Sequence, residues 1–143
     1  MKLIDFLSKV SNLSGFEFVN DYTYIGKGVS LNEFYSQGHW YKRKQIVQKY
    51  HAIFNKMLEE SDTPRLSNYV IVVLYNSRHD PDNVVGMEKL FVDALKDDDK
   101  TDELRYITDD NKKIAKGVMI FPDETLKTNT FKFLLFTNNG NSN

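Results

Sequence analysis

From residue 41 to residue 60, apolar side chains recur at positions 46, 47, 50, 53, 54, 57 and 58. That i, i+3, i+4, i+7 rhythm predicts an amphipathic helix, closed by Ser61-Asp62-Thr63-Pro64. Tyr69–Tyr75 is different: an unbroken run of β-branched, leucine and aromatic residues, as expected of a central strand buried on both faces. A second helix is predicted at about 83–96, with Val84, Met87, Leu90, Phe91, Ala94 and Leu95 as its buried stripe. Strands follow at about 112–121 and 129–136. Earlier, Phe16, Phe18, Val19, Tyr22, Tyr24 and Ile25, with glycines at 26 and 28, suggest short strands or a hairpin within 16–31. Residues 1–15 read as a short helix on Leu3, Phe6, Leu7 and Val10, and residues 138–143 as a frayed tail. No repeat or linker divides the chain. The expectation is one α+β domain over residues 1–137, a mixed β-sheet packed by two main helices.

Composition narrows the chemistry. The 143 residues contain no cysteine, which excludes a disulfide framework, a thiolate zinc site and a cysteine nucleophile. His39, His51 and His79 remain for metal or base work. The opening Met-Lys-Leu-Ile-Asp-Phe-Leu carries early charges and no long apolar run, so neither signal peptide nor membrane span is expected, and the cytosol is the default compartment. A net charge of -1 offers no support for a nucleic-acid partner by itself. It is, however, a sum of opposed regions. Residues 38–58 hold five bases and no acid, whereas residues 78–110 hold eleven acids against five bases.

The acids cluster informatively at Ser77-Arg78-His79-Asp80-Pro81-Asp82-Asn83, between the strongest strand and a helix. In extended chain, residues two apart point the same way, so Asp80 and Asp82 can aim at one cation, and oxygen ligands suit Mg²⁺ or Mn²⁺. The same residues also suit a turn and helix cap, and the sequence is compatible with both readings. An EF-hand is excluded, because the sixth position from Asp80 is Val85 and the twelfth Phe91. On the following helix Gly86, Lys89 and Asp93 share a polar face continuing from Asp82, where Lys89 either reaches a phosphate or pairs with Asp93. Thr108-Asp109-Asp110-Asn111 abuts the next strand, as a third acidic element or a polar turn. The intervening run from Lys96 to Glu103 reads as a solvated loop without ligands.

In this order the pieces resemble the RusA-type family of Holliday junction resolvases, many of them phage-encoded. The carriers are Asp80-Pro81-Asp82-Asn83, Lys89, Asp93-Ala94-Leu95 and Asp109-Asp110-Asn111. Ser30-Leu31-Asn32-Glu33-Phe34-Tyr35 and His39-Trp40-Tyr41-Lys42-Arg43-Lys44 resemble a segment of phage members, so the similarity spans about residues 28–136. It implies a RusA-like fold and Mg²⁺-dependent cleavage of four-way DNA junctions, with Mn²⁺ as a possible substitute. It implies Asp80, Asp82 and Asp110 as metal ligands, with Asp110 favoured over Asp109 by position, and Lys89 as a cationic catalytic group. It further implies a homodimer matching the symmetry of the junction, in a bacterial or phage-infected cell. Expected DNA contacts are Asn32, Trp40, Lys42, Arg43, Lys44 and Asn83, although the basic run also suits an ordinary solvated helix face.

Three other readings compete. One is a non-catalytic DNA-binding protein on the same fold. Another is a different metal-dependent nuclease; a restriction-type core would need an acid followed by Glu-x-Lys on a strand, whereas Glu88 and Lys89 are adjacent and helical. The last is a small interaction protein with no nucleic-acid role, a reading that the ordered acid–lysine–acid set disfavours.

Overall fold

The computed structural model describes residues 15–29, 40–98, 100–101 and 103–138, at 40 and 41 for the backbone alone. The elements in chain order are β1 (Glu17–Ile25), α1 (Trp40–Glu60), β2 (Tyr69–Asn76), α2 (Pro81–Leu95), β3 (Ala115–Pro122) and β4 (Thr130–Thr137). The expected helix at 1–15 falls, but for Gly15, outside the described residues.

The four strands form one mixed sheet in the order β1-β4-β2-β3. β4 runs antiparallel to both β1 and β2, while β2 and β3 are parallel and joined through α2. A parallel pair needs such a crossover, which fixes α2 across the β2–β3 edge of the sheet. β2 is central, and Tyr69–Tyr75 are all buried. Its side chains alternate: Tyr69, Ile71, Val73 and Tyr75 join the cluster containing both helices, whereas Val70, Val72 and Leu74 join a second cluster with Leu134 and Phe136. Burial on both faces is why the run shows no polar alternation.

Between helices and sheet the core is aromatic. Phe91 of α2 stacks on Phe133 of β4 with ring centres 4.5 Å apart, and Phe54 of α1 meets both rings edge-on at 5.3 and 5.4 Å. The predicted stripes supply these contacts: Tyr50, Phe54 and Leu58 of α1, and all six named positions of α2, are buried. α1 ends as Asp62 turns left-handed (φ 50°), and its neighbour Thr63 donates back to the Leu58 carbonyl at 3.2 Å.

Two expectations need correction. Residues 16–31 contain no hairpin among those described; β1 is one nine-residue strand whose partner is β4, with a bulge between Phe18 and Asn20. Gly26 ends it, donating to the Asn129 carbonyl at 2.9 Å rather than turning the chain back on itself. The second concerns the acidic run after α2. Lys96 bridges to Ile107 and Asp98 to Glu103, and the Asp97 carboxylate accepts both guanidinium N–H groups of Arg65 at 2.7 and 2.8 Å. It also accepts the Arg105 backbone N–H at 2.7 Å. Arg65 above all, with that backbone donor, holds the Asp97 carboxyl down at about 2. Spacing alone does not reveal a partner thirty residues upstream.

Candidate functional site

Asp80 is the N-cap residue of α2, extended (φ −74°, ψ 157°), with Pro81 in the first helical turn. Its carbonyl, not its carboxylate, accepts the N–H of Asn83 at 2.9 Å. Pro81 suits this place, since its fixed φ is helical and its missing N–H would have no partner there. Asp82 is therefore already helical, and the alternation of an extended chain does not carry the two carboxylates to one side. Both are exposed, and Asn83 is half-buried beside them.

Lys89 and Asp110 meet elsewhere. A pocket of about 280 Å³ between α2 and the start of β3 has Glu88, Lys89, Asp93 and Asp110 as its polar lining. Tyr69, Val92, Ala115 and Val118 complete it. The Lys96 ammonium bridges two of the acids, 3.9 Å from Asp93 Oδ1 and 3.5 Å from Asp110 Oδ1. Asp109 turns away: its Oδ1 accepts the Asp110 backbone N–H at 2.7 Å, and that bond lowers its carboxyl below the usual range. Local geometry therefore selects Asp110 as the acid facing the pocket.

Glu88 is a functional candidate that no sequence motif marks. It is 8% exposed as a residue, yet its carboxylate oxygens are not among the fully buried, unpartnered polar atoms of the described residues. Burial is the main reason its carboxyl is pushed up to about 7; Lys89 opposes the rise, and Asp93 and Asp110 add to it. Asp93 is raised in the same way, by burial first, with Lys96 and His51 opposing. The signal was present in the helix pattern, since position 88 lies four after Val84 and three before Phe91, on the edge of the apolar stripe.

The resemblance implies a divalent ion on Asp80, Asp82 and Asp110, and the geometry does not fit that set. At about 1.5 Å of rise per residue, Asp82 and Lys96 lie about 21 Å apart along the helix. Asp110 is 3.5 Å from the Lys96 ammonium. Allowing every side chain its full reach, the Asp82 and Asp110 carboxylates stay at least ~7 Å apart, against ~4 Å for two oxygens on one Mg²⁺. Asp80 is farther still. Among the described residues no three histidine or acidic side chains surround a common point as metal ligands.

A larger groove, about 840 Å³, adjoins the pocket and shares Asp93 with it. α1 contributes Arg43, Lys44 and His51, and the chain after α2 contributes Lys96, Lys100 and Arg105. Asp97 and Asp98 also line it, Asp97 being occupied by Arg65. Bases from two sequence regions of opposite net charge thus converge in space. His51 lies among them with Nε2 buried and unpartnered, and burial lowers its pKa. Of the expected DNA contacts, Arg43 and Lys44 line the groove and Lys42 is exposed on α1 outside that lining. Asn83 sits at the far end of α2, and Asn32 and the Trp40 side chain lie outside the described residues. Among the described residues no helix is long and apolar enough to cross a membrane.

No protein-family model matches the chain, and no curated protein matches it.

Proposed function

We propose that the chain binds branched DNA along the basic groove and cleaves a phosphodiester at the adjoining pocket, the activity implied by its resemblance to RusA-type Holliday junction resolvases. One observation carries this reading. Lys89 and Asp110, singled out separately from the sequence, line one pocket that opens beside a groove with five bases, Arg43, Lys44, Lys96, Lys100 and Arg105. Phosphates track such a groove by charge, which positions the strand without reading its sequence. Lys89, exposed at the pocket, is placed to offset the negative charge that builds on a phosphate under attack. Two symmetric cuts in a four-way junction call for two copies related by a two-fold axis, so the proposal includes a homodimer.

The dispersal of Asp80 and Asp82 away from Asp110 favours a second reading, a branched-DNA-binding protein on this fold without nuclease activity. A synthetic four-way junction supplied with Mg²⁺ or Mn²⁺ separates them. The nuclease reading expects paired cuts, and Lys89→Ala to slow cutting more than it weakens binding. Tight junction binding with no cut in either metal selects the second reading, and no preference for the junction over linear duplex overturns both.

A further inference from the structure

We infer that His51 is a phosphate-binding residue of the basic groove, a sixth cation that forms only when an anion lies against the ring. The inference rests on the reading of the groove as a DNA surface and names one contact within it. His51 is half-buried in the wall that α1 gives the groove, with Nε2 shut off from solvent and without a hydrogen-bond partner. A buried polar nitrogen in that state is costly, and a ligand that supplies the partner recovers the cost. Thr130 Oγ1 is the other such atom among the described residues, but it belongs to β4, and of the two only His51 lines the groove.

The neighbours decide what kind of ligand that is. Arg105 is fixed one turn further along α1, where its Nη1 donates to Asn55 Oδ1 at 2.6 Å. On α1 itself Lys44 lies two turns before the ring, next to Arg43. α2 contributes Asp93, and the Lys96 ammonium is 3.9 Å from that carboxylate. Beyond α2, Lys100 stands against Asp98 and against Asp97, which Arg65 already occupies. Five bases thus meet three acids in the groove, so an anion fits it. Burial above all lowers the pKa of the ring; Asp93 opposes, while Arg105 and Lys96 assist. A phosphate lying between these bases offsets their charge and offers an acceptor to an imidazolium N–H, and the ring turns about Cβ–Cγ at little cost to meet it. Binding therefore takes up a proton. Affinity is greatest where the free ring is already protonated, and it falls as pH rises from the free-state pKa to the bound-state one.

Nuclear magnetic resonance of the His51 ring in the full wild-type chain, from pH 5 to pH 8, tests the contact without relying on a variant. In chloride the ring should titrate below the ordinary histidine range. Dimethyl phosphate at millimolar concentration and equal ionic strength, and separately a four-way junction without added metal, should each move its midpoint upward. Junction affinity should fall about tenfold from pH 5 to pH 8 in the wild type and no more than about twofold in His51→Gln, whose fold circular dichroism confirms. A midpoint that neither ligand moves overturns the proposal. A junction bound tightly, with His51 indifferent to it or with the same pH dependence in His51→Gln, defeats this contact and leaves the DNA reading of the groove intact. A midpoint raised by dimethyl phosphate in a chain that does not bind the junction supports the phosphate contact and defeats the DNA reading alone.

Discussion

Replacing Glu88 by glutamine changes how stability depends on pH, and the size of the effect follows from burial. The carboxyl, ordinarily near 4.5, is pushed up to about 7 because the folded chain withholds solvent from its ionised form. Between those values the folded state keeps a proton that the unfolded state has lost, so stability falls as pH rises through the window and levels off above it. At about 1.4 kcal/mol per pH unit, the ionised carboxylate costs the folded state about 3 kcal/mol by pH 8. Glutamine keeps the shape and cannot ionise. Thermal melts of both proteins from pH 4.5 to 8 should therefore agree within a few degrees at the acid end and diverge as pH rises. By pH 8 the variant should melt higher by on the order of 10 °C, given roughly 2–4 °C per kcal/mol for a chain of this size. Asp93 titrates in the same direction in both proteins, so the difference between the curves belongs mainly to Glu88. Parallel curves across the whole range would refute the claim that burial raises the Glu88 carboxyl.

Other perturbations test the core and the groove. Phe91 is fully buried and stacked on Phe133, so Phe91→Ala should cost about 3–5 kcal/mol, read from the urea midpoint, and a cost under about 1 kcal/mol contradicts the packing described. Removing Lys44 and Lys100 together should weaken junction binding and reduce the slope of log affinity against log salt by roughly 0.9 for each phosphate that the variant no longer neutralises. Lys42→Ala, outside the groove lining, should leave that slope nearly unchanged; the reverse pattern moves the DNA surface along α1.

Much of the fold was legible because the signals were local. The helical rhythm of residues 41–60 and the Tyr69–Tyr75 run depend only on period and burial, and both elements form within a residue or two of their expected bounds. β1 was less legible, because whether aromatic residues before a glycine form a hairpin or pair with a distant strand depends on β4, more than a hundred residues later. The site was legible in its members and not in its grouping. Asp80 and Asp82 have a good chelating pattern on the assumption of extended backbone, and Pro81 starts a helix there instead. Glu88 carried no motif; only its position on an apolar stripe marked it. The groove could not be read from charge runs, since Arg43 and Lys44 meet Lys96, Lys100 and Arg105 only after α1 and α2 have packed. The near-neutral total charge thus averaged over an acidic pocket and a basic groove that are neighbours.

The most direct test of the whole account is single-turnover cleavage of a labelled four-way junction by the wild-type chain and by Asp110→Asn, with junction affinity measured in parallel. Two symmetric cuts by the wild type in Mn²⁺ are expected, with a variant that binds the junction as tightly but cuts at least a hundredfold more slowly. Equal cutting by the two proteins, or a wild type that does not bind the junction, contradicts it.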